Sequence, residues 1–279
     1  MTVLLLAGCS PAASAPPPRG DTVPKRIVSM NPCVDAVLRE VAAPGQIAAI
    51  SSYSHDPRAT SVPLDWARAY PANNGGAEDV IAARPDLVIA GPHVAVQTIA
   101  ALRRMGIPLM QVRVPETVAE NKTQVADIAA RIGRVEAGRA LNARIDAALT
   151  QSRWPGRAVT ALIWQGSGLV PGKGTLADEL LTHAGFHNVS AQAGLRQWDI
   201  LPLEGLFLQP PEVLLAGEAN MGAGDGDTNR MLSHPALRKA GRYFRLADYP
   251  SNLLHCGGPV IVRSLARLSA VRRELEGKP

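Results

Sequence analysis

One pattern of fifteen residues occurs twice without a gap, and it restricts the possible folds more than any other feature of the chain. The first copy runs from Ala77 to Gly91 (AEDVIAARPDLVIAG) and the second from Leu203 to Gly217 (LEGLFLQPPEVLLAG). Each copy reads as a short helix, a proline break, an acid (Asp86 or Glu212) and an apolar run closing on glycine. A short, continuous apolar run bounded by turn residues suits a strand buried on both faces of a parallel sheet. Glu78 and Glu204 occupy the same position in the two copies. A chain carrying one helix–strand unit in each half is expected to build two related α/β halves.

The rest of the chain alternates in the same way. Arg26–Met30 predicts a strand, Val34–Val41 a helix and Gln46–Ser51 a second strand. Within the first copy, Glu78–Ala83 predicts a helix that Arg84-Pro85 ends, and Asp86–Ala90 the strand. Val96–Met105 (helix) and Ile107–Val112 (strand) follow. Strands alternating with helices indicate a parallel sheet. Residues 117–152 break the rhythm, being helical throughout with one interruption at Gly133. Their second part, Val135–Ser152, aligns Leu141, Ile145, Ala148 and Leu149 on one stripe. It would span roughly 27 Å at ~1.5 Å per residue. Alternation then restarts with Ala158–Trp164, Thr175–Ala184 and Glu212–Ala216, and closes with a helix over Val260–Leu275. The expected organisation is a signal segment (1–9), a tether (10–25), an N-terminal lobe (26–134), an interlobe helix (135–156) and a C-terminal lobe (157–279).

The N-terminus points to export. Val3–Cys9 (VLLLAGC) is a short apolar run ending in small residues and a cysteine, the look of a lipobox that would make Cys9 the lipidated residue. The run lacks a preceding Lys or Arg and is shorter than the usual ~7–15 residues, so the native start is expected upstream of Met1. Residues 10–24 are rich in Ala, Pro and Ser and read as a flexible tether. The expected location is the cell envelope, periplasmic and lipid-anchored. No apolar stretch reaches the ~18 residues of a membrane span. The net charge of +5 is scattered rather than gathered into basic runs with aromatics, which argues against nucleic acid. Export leaves Cys33 and Cys256 in an oxidising compartment, where a disulfide between them is one of two open outcomes.

Three segments carry a resemblance. They are Arg26–Pro32 (RIVSMNP), Ser51–Ser54 (SSYS) and Gly172–Leu181 (GKGTLADELL), the last followed by Ala184-Gly185 and Asn188-Val189. Taken in order, they resemble the substrate-binding proteins of ABC importers for vitamin B12, ferric siderophores and haem. The resemblance runs from about Arg26 to the C-terminus. It implies two α/β lobes with mainly parallel central sheets, joined by a single long helix, with a ligand cleft between the lobes. It also implies a monomer that catalyses nothing, holds no cofactor, and delivers a chelate such as cobalamin to a membrane permease and its ATPase. The family presents one glutamate per lobe to permease arginines, and Glu78 and Glu204 stand at those positions. Two fixed charges can orient docking and speed encounter; each glutamate also suits a helix N-terminus through the helix dipole.

Aromatic residues make up only 4% of the chain, so each one asks for a reason. A bulky chelate needs aromatic walls and a few hydrogen-bonding groups. Tyr53 follows the second strand, and Trp198 sits in the polar segment Arg196–Asp199; both are expected to touch ligand. Trp164, at a strand end, suits ligand or core equally, and Trp66 suits packing. His93 follows Gly91-Pro92 and could contact ligand or coordinate its metal. Arg58 and Arg196 are available to an anionic chelate, and His255 and Cys256 are candidates for the cleft wall. Two other classes are weighed. A free metal-ion site wants three or four His, Asp or Glu ligands, and among the histidines only His183 and His187 are spaced to share a helix face, with Gly185 between them. An enzyme lacks its motifs: Gln165 replaces the first glycine of a nucleophile elbow, Gly172–Thr175 is not a phosphate loop, and Met221–Asp227 reads as a plain Gly/Asp-rich loop.

Overall fold

The computed structural model describes residues 23–165, 168–217 and 243–277. The signal segment with Cys9, most of the tether, Gly166 and Ser167, the Met221–Asp227 loop and His234 lie outside the described residues. In chain order the N-terminal half contains β1 (Ile27–Ser29), α1 (Pro32–Val41), β2 (Ile47–Ser51), α2 (Leu64–Arg68), β3 (Ala72–Asn73), α3 (Ala77–Ala82), β4 (Leu87–Ala90), α4 (Val96–Arg104) and β5 (Leu109–Gln111). Helices α5 (Val118–Arg131) and α6 (Val135–Ser152) follow. The C-terminal half contains β6 (Val159–Trp164), β7 (Leu169–Pro171), α7 (Leu176–His183), β8 (Phe186–Asn188), α8 (Val189–Gln192), β9 (Trp198–Ile200), α9 (Leu203–Leu208), β10 (Val213–Ala216), β11 (Arg245–Asp248) and α10 (Pro259–Glu276).

The two halves repeat one topology. The first sheet has the order β3-β2-β1-β4-β5 and the second β11-β10-β6-β8, with every pairing parallel. Thus β4, from the first repeat copy, lies between β1 and β5, and β10, from the second, lies between β6 and β11. The repeated acids have one job. Asp86 accepts hydrogen bonds from the backbone N–H groups of Lys25 and Arg26 as β1 begins (2.7 and 2.8 Å). Glu212 accepts from the Thr160 N–H as β6 begins (2.9 Å) and pairs with Arg157. The repeated glycines share a reason too. A Cβ on Gly91 would lie 2.2 Å from Asn31 Nδ2, and one on Gly217 would lie 2.7 Å from the Ser251 backbone nitrogen.

The helical stretch breaks where the sequence reading places the break. Gly133 has φ +70°, its N–H bonds Ala130 O, and the Arg134 N–H bonds Ala129 O at 2.7 Å. This left-handed exit satisfies the last carbonyls of α5. Helix α6 then runs for 18 residues back along α5, so close that a Cβ on Gly138 would meet Ala129 Cβ at 2.4 Å. Its start is tied to the first half, where Arg134 Nε donates to Val41 O (3.1 Å) and Arg144 pairs with Glu40 (2.8 Å). Its end is tied to the second half, where His183 Nε2 donates to Leu149 O (2.6 Å). His183 therefore seals a helix end, and His187 lies exposed on β8, so the two do not share a helix face.

Alternate strand residues build three apolar layers. Val28, Val88 and Ala90 face one outer layer, and Leu162, Trp164, Leu214 and Ala216 the other. Between them a single layer runs from Ile27, Leu87 and Ile89 through α1, α5, α6 and α10 to Ala161, Ile163, Val213 and Leu215. The lobes therefore share one continuous core, which favours small relative motion over wide opening. Five short strands were not expected from the sequence: β3, β7, β8, β9 and β11. Among them β7 and β9 form a separate antiparallel pair, so Trp198 opens a strand rather than sitting in a loop.

Candidate functional site

In parallel α/β sheets ligands collect where the strands end. Here the strand ends of both sheets border one cavity of about 430 Å³, within the range of small-molecule sites. The first lobe contributes Asn31, Cys33 and Val37 after β1, His93 after β4, and the segment Val112–Glu116 after β5. The second lobe contributes Thr175–Ala177 at the start of α7, Gln197 and Trp198 at β9, and Leu254–Gly258 ahead of α10. Asn121 and Gln124 of α5 complete the wall.

Local chemistry fixes these segments. Asn31 has extended backbone (φ −147°), and its Oδ1 accepts from Cys33 N–H at 2.8 Å, starting α1 with Pro32 at its first position. Asn121 Oδ1 accepts from the Gly258 N–H at 2.7 Å and holds the loop before α10. Gly258 has φ +59°, and a Cβ on Gly257 would lie 2.0 Å from Asn121 Nδ2, so both positions need glycine. A disulfide joins Cys33 to Cys256 with the Cα atoms 5.0 Å apart, inside the bridging range. It links α1 of one lobe to the loop before α10 of the other. A hydrogen bond also crosses the cleft, from Gln197 Nε2 to Glu116 Oε1 (3.1 Å). Gln197 carries φ +55°, a backbone conformation that is costly for a residue with a Cβ.

The wall is mixed. Trp198, Val112, Val114, Leu176 and Leu254 give apolar surface, while the amides and two imidazoles give hydrogen-bonding groups. Desolvation lowers the His255 pKa from its ordinary 6.5, so at neutral pH this ring is uncharged and keeps a lone pair. Arg113 brings a guanidinium to the cavity with no acidic partner among the described residues. Arg58 instead pairs with Asp56, and neither Arg58 nor Arg196 lines the cavity. No group of three His, Cys, Asp or Glu side chains among the described residues could hold a metal ion.

The sequence-derived candidates divide clearly. His93 and Trp198 line the cavity, Trp198 with 38% of its surface exposed. Trp164 does not: it is 1% exposed and packs with Leu162, Val170, Leu201 and Leu206. Of the two roles open to it, Trp164 takes the core, because β6 is an interior strand with side chains covered on both faces. Tyr53 sits at the C-terminal edge of β2 and is 65% exposed, outside the cavity wall. Trp66 stacks at a tilt on Tyr70 (4.9 Å between ring centres) against the core. Glu78 and Glu204 are exposed in the first turns of α3 and α9 and pair with no described residue. Gln197, Glu116 and Arg113 were missed. Their one sequence signal is position after a strand or before a short one, which is a property of many loop residues.

Comparison with known proteins gives the following. A family model described as periplasmic binding protein matches residues 27–252. No curated protein matches the chain. Among solved structures, the periplasmic haem-binding protein RhuT from Roseiflexus sp. RS-1, in apo form, superimposes with a TM-score of 0.70 at 22% identity, covering 88% of this chain and 96% of that one. The periplasmic vitamin B12-binding protein BtuF of Vibrio cholerae gives a TM-score of 0.70 at 15% identity, covering 92% and 99%. A periplasmic haem-binding protein from Pseudomonas aeruginosa gives 0.70 at 20% identity, covering 89% and 92%. At these identities the likeness concerns the fold.

Proposed function

The chain belongs to the periplasmic binding protein family, whose members bind solutes rather than transform them, and from that premise we propose that it captures cobalamin or a related metal chelate in the interlobe cleft and hands it to an ABC permease and its ATPase. The observation that carries this reading is the cleft itself. Its wall combines an aromatic face at Trp198, apolar side chains and hydrogen-bonding amide and imidazole groups, suited to a bulky, partly apolar ligand. A ferric siderophore or haem is the alternative within the same class, and the guanidinium of Arg113 favours a ligand carrying at least one anionic group. A free zinc or manganese ion is less well supported, since no three ligating side chains converge among the described residues.

His93 and Trp198 are assigned to the wall, and Tyr53, exposed after β2, is kept as a proposed ligand contact. Glu78 and Glu204 are the proposed permease contacts, one on each lobe, and Cys9 the proposed site of lipid attachment, which would hold a periplasmic domain at a membrane. Among the described residues no helix is long and apolar enough to cross a membrane. The direct test is a titration of the purified protein with cyanocobalamin, ferrioxamine B and haemin, following tryptophan fluorescence. Saturable quenching by one chelate, weakened by Trp198→Ala, is expected. Silence toward all three, with a response to zinc or manganese, would sink the reading. Replacing both Glu78 and Glu204 by Ala should leave binding unchanged and abolish uptake in cells; lost binding would remove them from the docking role.

A further inference from the structure

The loop Leu254–Gly258 forms part of the cleft wall; locally, the Leu254 N–H bonds Ser251 O and the Val260 and Ile261 N–H groups bond Gly257 O and Gly258 O, while nothing local fixes His255 and Cys256 toward the cleft. It contains two consecutive glycines, and α10 begins at Gly258 without a side-chain cap. Gly258 occupies a backbone conformation (φ 59°, ψ −129°) that offers no local preference. Two ties from the opposite side hold it. One is the Asn121 Oδ1 bond to the Gly258 N–H, and the other is the disulfide from Cys256 to Cys33 on α1. Cys33 and Cys256 both line the cavity. Beyond the bridge, Ser61 Oγ donates to Asn252 O (3.0 Å) and Arg263 donates to Ser61 O, so the lobes remain joined on that flank without it. The continuous core shared by the lobes joins them as well. The disulfide is therefore placed where it controls the position of one short loop, while the lobe arrangement has other supports.

We propose that the Cys33–Cys256 disulfide is a positioning element for ligand capture, pinning Leu254–Gly258 as a preformed wall of the cleft, so that loss of the bridge weakens binding while the fold persists. The binding half of this statement rests on the chelate-capture reading above; the loop half does not. A preformed wall binds better because its ordering is not charged against the ligand. Freeing and re-ordering even one loop residue corresponds to roughly a tenfold loss of affinity.

Two arms test it. In the first, ligand-free protein in a stabilising osmolyte is reduced with dithiothreitol. Two electrons and two protons pass to the sulfurs of Cys33 and Cys256 as the reagent closes to its cyclic disulfide. Backbone hydrogen–deuterium exchange is expected to accelerate at least tenfold at 254–258 while the strands β1, β4, β6 and β10 stay protected. Unchanged exchange in the loop overturns the proposal, and so does global loss of protection, which would make the bridge a folding staple. In the second arm, the Cys33→Ser, Cys256→Ser double variant is titrated under non-reducing conditions with cyanocobalamin, ferrioxamine B and haemin. Affinity at least tenfold weaker than that of the bridged protein is expected. By linkage, the bound chelate then lowers the reduction potential of the bridge by about 30 mV or more. Equal affinities overturn the proposal even if the loop loosens. If the bridged protein binds none of the three, the chelate reading fails, and the exchange arm alone decides whether the bridge positions the loop.

Discussion

Asp35 ties the stability of this protein to pH in the opposite sense from most carboxylates. It lies in the first turn of α1 and is 0% exposed. Its Oδ2 accepts from Ser54 Oγ at 2.6 Å and from the Ser51 N–H at 3.1 Å, but its Oδ1 has no partner. Burial pushes its pKa from 3.8 up to about 7, with the nearby Ser29 and Ser54 hydroxyls and the Ser51 N–H pulling the other way and losing. The folded chain therefore holds this proton at pH values where the unfolded chain has released it. The stability from this group is fully present below about pH 4 and is lost as pH rises through about 7. A shift of about three pKa units corresponds to about 4 kcal/mol between those limits. Asp35→Asn removes the titration and keeps the acceptor for Ser51 and Ser54. The amide brings a fixed penalty for its own donors, roughly 1–3 kcal/mol, that does not vary with pH. Urea unfolding of both proteins at pH 4.5, 6, 7 and 8 separates the two effects. The variant should gain on the parent steadily up the series, by about 3–4 kcal/mol in all. Parallel stability curves, differing by a constant across the series, would refute the reasoning and show that the carboxyl is ionised in the folded protein at all these pH values.

Two further outcomes follow from burial and topology. Trp164→Ala should destabilise the fold by about 3–5 kcal/mol through the void it leaves, whereas Trp198→Ala should shift urea unfolding by no more than about 1 kcal/mol and act on ligand titrations instead. The reverse pattern would place Trp164 in the binding wall. The Cys33–Cys256 bridge closes a chain separation of 223 residues, so its removal should reduce unfolding free energy by about 5 kcal/mol in the chain-entropy limit; a loss below about 1 kcal/mol would mean that the unfolded chain gains little freedom when the bridge is cut.

The elements that were legible from the sequence are those whose own residues decide their structure. β4 and β10 are four-residue apolar runs fully enclosed by their sheets, and α6 spans Val135–Ser152 as its stripe of Leu141 and Ile145 indicates. Strands β3, β7, β8, β9 and β11 were illegible because each exists through its partner. β9 is exposed along Trp198–Ile200, and β11 carries Arg245 and Asp248 at its ends, so neither shows an apolar pattern. The same division governs the cleft. Trp198 was found because tryptophan is rare in this chain, yet rarity selected Trp164 equally, and only the interior position of β6 separates them. Arg113, Glu116 and Gln197 have nothing locally unusual. What makes them wall residues is that two distant loops meet, and the Gln197–Glu116 hydrogen bond spans 81 positions of chain.

The repeat itself can now be divided by cause. Its acids are required by folding, since Asp86 and Glu212 each satisfy N–H groups at the start of the neighbouring strand. Its glycines are required too, since Gly91 and Gly217 each admit a backbone or side chain that a Cβ would strike. Its apolar positions fill the interiors of two equivalent sheets. Glu78 and Glu204 have no such reason. Both are exposed, neither pairs with a described residue, and the helix-dipole benefit of a first-turn acid is available to many side chains at many positions. In α3 that benefit is already supplied by the adjacent Asp79. Two exposed acids at matched positions of the repeat, with no partner among the described residues, are what the proposed docking role requires.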